Sequence, residues 1–128
     1  MVGRLPAQGT RPCLERRAAG QLALLHEIAA RHPTAFGHLL QALDFHLAPR
    51  REVALAGDRA GVAELAAVVR EAPRPHLVLA GGAGDGPTAV PLMEQRAPVD
   101  GRAAAYVCER FACQRPVTEP QDLRALLA

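Results

Sequence analysis

Cys108 and Cys113 have the most direct route to chemistry in this chain. They flank Glu109-Arg110-Phe111-Ala112, and a chain that doubles back between them brings the two sulfurs within disulfide reach. A redox-active pair wants an electropositive setting that favours the thiolate, and Arg110 and Arg115 stand nearby in sequence. Against this, the spacing is not the Cys-x-x-Cys of a thiol oxidoreductase, and free cysteine is among the most buried residue types. Packing, or an incidental pair, is therefore the first reading of Cys108 and Cys113. Thiol–disulfide chemistry comes second, and zinc stands behind both.

The run Gly81-Gly82-Ala83-Gly84-Asp85-Gly86 follows an apolar strand-like segment and superficially suggests a phosphate loop. Such a loop needs a helix N-terminus directly after the glycines, whose free N–H groups hold the anion. Pro87 and Pro91 intervene instead, and no helical stripe follows. The order of the glycines does not suit a dinucleotide fingerprint either. A surface connection is the first reading, with Gly82, Gly84, Asp85 and Gly86 as the candidate ligand loop behind it.

A metal centre finds little support. His38 and His46 lie eight residues apart on one expected helix, about 12 Å along its axis, too far to share an ion. His26 and His32 point to different faces, and His76 stands alone at the start of a strand. Asp44 and His46, two apart on a helix, cannot face each other. Glu15, Glu27, Glu64 and Glu71 read as solvated helix faces. No metal, cofactor or catalytic residue is nominated.

The elements that position these residues follow from hydrophobic period and punctuation. Met1 to Pro12 carries Gly3, Pro6, Gly9 and Pro12 and reads as a loose lead-in over 1–12. From Cys13, Leu14, Ala18, Leu22, Leu25 and Ile28 form one helical stripe that Pro33 stops. Thr34 is the expected cap of a second helix with Phe36, Leu39, Leu40, Leu43 and Leu47 on its buried face. A turn this short makes 13–48 an antiparallel helical hairpin. In the remaining 49–128, Glu52–Ala56 is a strand, and Asp58 caps a helix with Val62, Leu65, Ala66 and Val69 as its core stripe. His76–Ala80 is a second strand, giving a right-handed βαβ unit with parallel strands.

The connection to a third strand, Ala103–Cys108, holds an apolar patch at Val90–Met93 expected to be extended. Thr118-Glu119-Pro120-Gln121 has the spacing of a capping box before a last helix with Leu123, Leu126 and Leu127. The fold class is therefore α/β: a helical hairpin, then a small three-stranded, mostly parallel sheet with flanking helices.

The totals exclude several functions. The sequence has no Ser and no Lys, which removes serine-nucleophile hydrolysis, Schiff-base chemistry and a Walker-type lysine. The net charge is only +2, the arginines are scattered from Arg4 to Arg124, and four aromatic rings exist, so no nucleic-acid partner is expected. Three cysteines do not make a disulfide scaffold. Apolar runs such as Leu22–Leu25 are too short for a bilayer, and the first residues lack the apolar centre of a signal peptide, so no membrane partner is expected and a cytoplasmic location is the default.

Three segments carry a family resemblance: HPTAFGHLLQALDFHL at 32–47, REVALAG at 51–57 and PVDGRAAAYVCERFACQRPVTEPQDLRALL at 98–127. They resemble the C-terminal end of the thioredoxin-domain-containing proteins, the family that includes the spermatogenesis-associated thioredoxin-like protein of animals. The resemblance begins near Glu15 and does not extend to residues 1–12. It implies a thioredoxin-like domain and a helical barrel of the six-hairpin glycosidase and N-acylglucosamine 2-epimerase type upstream of such a tail. It also implies that the family's chemistry lies in those parts. The expected function is a non-catalytic C-terminal module or fragment, with the hairpin offering a surface for a protein partner or self-association. The rival expectation is a small thiol–disulfide protein using Cys108 and Cys113.

Overall fold

A computed structural model describes residues 11–109 and 112–128. The lead-in expected over 1–12 lies outside these up to residue 10, and from Arg11 the chain is helical. The described chain divides into two compact units, the first ending at Ala48 and the second running from Pro49 to Ala128.

The first unit is a pair of helices in contact, α1 (Arg11–Arg31) and α2 (Gly37–Leu47). On α1, Leu22 and Ala29 are buried, two turns apart on one side of the helix. The single stripe expected on α1 is split, because Leu14, Ala18 and Ile28 lie outside. No residue of α2 is fully buried, and Leu47 is exposed. Two helices shield only their facing sides, so a helix apolar on more than one side stays partly uncovered. Thr34 does not cap α2. The N–H groups of Ala35 and Phe36 donate to His32 and Pro33 carbonyls in tight turns, which delays the helix to Gly37.

The second unit is a mixed four-stranded sheet of order β2-β1-β3-β4, with two helices. The strands are β1 (Arg51–Ala56), β2 (Leu77–Gly82), β3 (Ala104–Glu109) and β4 (Ala112–Cys113), and the helices are α3 (Arg59–Arg70) and α4 (Pro120–Leu127). The α/β class holds, with two corrections. The sheet has four strands rather than three, and only β1 and β2 are parallel. The β1–β3 and β3–β4 pairings are antiparallel. The reason lies in the connection after β2. Its ends, Gly82 and Ala104, both align with Ala56, so the chain leaves and re-enters at one end of the sheet. A parallel return would need a crossover to the other end, usually through a helix. This connection contains one 3-10 turn, Pro91–Met93, where an extended patch was expected.

Local chemistry explains the remaining joints. The Asp58 carboxylate accepts from the N–H groups of Ala60 and Gly61 at 3.1 and 3.3 Å, capping α3 as the sequence predicts. Asp100 and Gly101, both in the left-handed region, form a two-residue turn between the paired residues Val99 and Arg102. Asp-Gly is a favoured pair for such turns. The strand edge continues past β4: Gln114 N–H donates to Val107, and Val117 pairs with Ala105. The register slips by one residue between them, and Pro116 sits in that bulge, where no ladder donor is needed. At α4 the capping box does not form. Pro120 takes the first helical position, and Glu119 precedes the helix without a side-chain cap. Its carboxylate pairs with Arg102 instead.

The sheet's two faces differ. Val53, Leu55, Ala105 and Val107 point toward α3 and α4, meeting Leu65, Val68, Leu123 and Leu127 in the main core. Ala54, Ala56 and Tyr106 face the other way, and Met93 from the connection covers them. Where the helix layer meets the sheet, Gly57 allows a close approach. A Cβ there would lie 2.5 Å from the Cα of Ala103.

Candidate functional site

Residues alternate between faces along a strand. Cys108, two residues from Tyr106, therefore shares the loop-covered face with it. In the antiparallel pair β3–β4, Cys108 stands directly opposite Cys113, and the two are joined by a disulfide. Cys108 is 2% exposed, whereas Cys113, on the edge strand, is exposed. One sulfur-bearing residue thus belongs to the core and the other to the surface. Cys13 is a free, exposed thiol on α1.

The connection from β2 crosses this face and delivers Arg96 to the disulfide. Glu94 and Gln95 form a tight turn in which Arg96 N–H donates to Met93, and Gln95 takes a left-handed φ of 58°. The next residue, Ala97, is fastened down: its carbonyl accepts from the Tyr106 hydroxyl at 2.8 Å. Between these anchors the Arg96 guanidinium lies over the Tyr106 ring, 5.0 Å from its centroid, a cation–π distance. Its Nη2 donates to Cys113 Sγ at 3.0 Å and reaches Cys108 Sγ at 3.7 Å. Its Nε is buried without a hydrogen-bond partner. A positive charge is therefore held against both sulfurs by an aromatic ring and a pinned backbone. Such a charge favours thiolate over thiol when a disulfide opens.

Arg96 and Tyr106 are the residues that sequence reasoning missed. The expected electropositive neighbours were Arg110 and Arg115. Arg110 lies outside the described residues, and Arg115 is exposed beyond β4. Arg96 is twelve residues from Cys108 and seventeen from Cys113. No local spacing marks it, and only the antiparallel return of β3 beneath the connection brings the three together.

The glycine run expected as a ligand loop forms the end of β2 and the start of that connection. Gly82, Gly84, Asp85 and Gly86 border a cleft of about 280 Å³ that Thr88, Val90 and Met93 also line. Asp85 is its charged residue, so the lining offers an anion no cationic side chain. The structured segment that follows is the three-residue turn at Pro91, too short to present a helix N-terminus. Gly84 has a packing role as well. Its φ is +83°, and a Cβ there would lie 2.7 Å from the Arg96 carbonyl oxygen and from the Ala56 Cβ. The loop thus lies flat on the alanine face and helps to seat Arg96.

Among the described residues, no group of three His, Cys, Asp or Glu side chains is placed to hold a metal ion. Nor is any helix among them long and apolar enough to cross a membrane.

No protein-family model matches the chain, and no solved structure matches it. Over 113 residues the chain is 31% identical to spermatogenesis-associated protein 20 of Homo sapiens. That alignment covers 83% of this chain, which spans 14% of the length of the human protein it is similar to.

Proposed function

We propose that the chain is the non-catalytic C-terminal module of a thioredoxin-domain-containing protein, and that it works by docking on other parts of such a protein. The similarity to spermatogenesis-associated protein 20, extending over most of this chain and a small part of the human protein, supports that reading. The resembled family would supply the thioredoxin-like domain and six-hairpin barrel as the docking partner, and the cytoplasm is the compartment that goes with it.

The observation that carries the docking role is a second apolar stripe on α1. Leu24 is 80% exposed and Ile28 is 46% exposed. They lie one turn apart, and Leu24 falls on the side opposite the buried Leu22. Leu14 and, on α2, Leu47 add further exposed apolar surface. Fully burying a side chain of this kind stabilises a complex by about 1.5–3 kcal/mol before association costs. Helices from the barrel portion would cover this stripe, as helices in a bundle cover one another.

The test is co-purification of this chain with the thioredoxin-like and barrel portions of a family member, expressed as a separate polypeptide. We expect a complex that Leu24→Asp with Ile28→Asp abolishes while the circular-dichroism spectrum is retained. No complex with the unsubstituted chain, or one indifferent to the double substitution, overturns the reading.

A further inference from the structure

From the juxtaposition of Arg96 with Cys108 and Cys113, we infer that this disulfide is a thiol–disulfide exchange site, reducible by dithiols and poised by the guanidinium. The inference does not depend on the docking role, since it rests on the loop-covered face of the second unit.

Three observations combine. The disulfide ties a buried strand, β3, to a two-residue edge strand, so one of its two residues, Cys113, is exposed. Arg96 Nη2 is within 3.0 Å of Cys113 Sγ and 3.7 Å of Cys108 Sγ, placing a fixed positive charge where negative charge develops on reduction. The buried, unpartnered Nε of Arg96 is a polar group held out of water beside those sulfurs. An orphaned donor of this kind costs stability and calls for an explanation. A guanidinium that serves only packing would be replaced at less cost by an apolar side chain. One that stabilises a thiolate repays its burial in the reduced state.

The exchange runs in two displacements. One thiolate of a dithiol attacks Cys113 Sγ, the sulfur on the exposed residue. A new S–S bond forms to the dithiol, the Cys108–Cys113 bond breaks, and its electron pair departs on Cys108 Sγ beside Arg96. The dithiol's second thiolate then attacks its own sulfur in the mixed disulfide and releases Cys113 Sγ as a thiolate, also beside Arg96. The protein gains two electrons, the dithiol leaves as a cyclic disulfide, and the dithiol's protons pass to solvent or to the cysteines. A leaving thiolate that is stabilised departs faster, and a stabilised dithiol form makes the disulfide more oxidising.

The experiment uses the full chain carrying Cys13→Ala, which removes the free thiol from the count. Protein is equilibrated in graded mixtures of reduced and oxidised dithiothreitol and, separately, glutathione. Thiols are trapped by alkylation and counted by mass. We expect a reversible two-thiol transition. Arg96→Gln should require about a tenfold higher ratio of reduced to oxidised dithiothreitol, equivalent to about 30 mV. Arg96→Lys, which keeps the charge and loses the planar stack, should fall close to the unsubstituted protein. A midpoint unmoved in Arg96→Gln, or cysteines that stay unpaired in oxidising buffer, overturns the inference. A second reading needs no substitution at Arg96: in the reduced protein, Cys113 should alkylate faster than free glutathione at neutral pH. A rate equal to or below that of glutathione also overturns it.

Discussion

The two faces of the sheet use different materials for different ends. One presents Val53, Leu55 and Val107 to two helices, and large side chains interlock there with Leu65, Val68 and Leu123. The other presents Ala54, Ala56 and Ala80, small enough for an irregular segment to lie across them, held by Met93, Leu92 and Tyr106. Burial scales with apolar area, so the helix face contributes most of the folding energy. The loop face contributes little but carries every contact between Arg96, Tyr106 and the disulfide. Stability and chemistry are thus separated by the thickness of one strand layer.

Truncation on each side breaks or sharpens that comparison most directly. Leu123 is fully buried among α3 and sheet residues, and Leu123→Ala should cost about 2–5 kcal/mol in denaturant unfolding. Met93→Ala removes a residue of similar size from the smaller cluster. There the covering segment can settle onto the alanines, so the cost should fall at or below the low end of that range. Equal losses would show that the loop face is as much a core as the helix face.

Much of the helix face was legible in the sequence, and little of the loop face was. Leu65, Ala66 and Val69 are helix-spaced, Asp58 announces a cap, and Glu52–Ala56 is flanked by Pro49 and Gly57. Each signal is local, and the structure places α3 and β1 within a residue or two of them. The strand at 104–109 was legible too, but its direction was not. Direction depends on where a long connection begins and ends, which no residue encodes by itself. The fourth strand is two residues long and exists by pairing with β3, so it has no period to read. Thr34 and Thr118 illustrate local signals that lost. At Thr34 tight turns to the His32 and Pro33 carbonyls delay the helix, and at Thr118 the helix starts at Pro120 with Glu119 in the cap position. Cysteine pairing was open from spacing alone, and Arg96 was invisible, since its role comes from topology.

The glycines at the ends of the two layers provide the next comparison. Gly57→Ala would push a methyl group against the Cα of Ala103, the residue just before β3, whose backbone cannot move without disturbing that strand. Overpacking of this type costs about 1–3 kcal/mol, and thermal unfolding should show it. Gly84→Ala forces a methyl group against the Arg96 carbonyl and demands a left-handed φ from alanine. The connection has room to lift, so its stability cost should be the smaller of the two. Lifting it draws Arg96 from the sulfurs, so the dithiothreitol midpoint should move in Gly84→Ala and stay put in Gly57→Ala. The reverse pattern would mean that the faces are mechanically coupled.

The smallest effect expected is on the helix face, where it separates surface charge from core. Arg124 of α4 donates from Nε to both carboxylate oxygens of Glu71, at 3.0 and 2.8 Å, joining the two helices at their solvent edge. Hydrogen bonding from Arg124 outweighs an opposing desolvation and, with the charges of Arg124 and Arg74, holds the Glu71 carboxyl below its ordinary value. A carboxyl depressed in the folded state binds its proton more readily when unfolded. Its contribution is therefore complete above the ordinary glutamate value of 4.5 and fades as pH falls below it. Because the pair is exposed and screened by water, the contribution is slight and shrinks further in high salt. Glu71→Gln should lower the melting temperature slightly at neutral pH and flatten its decline as pH falls below the ordinary glutamate value, the side to which that carboxyl is depressed. A large loss at neutral pH would show that α4 is held by this ion pair more than by Leu123 and Leu127, and the account of the helix face as an apolar core would have to be redrawn.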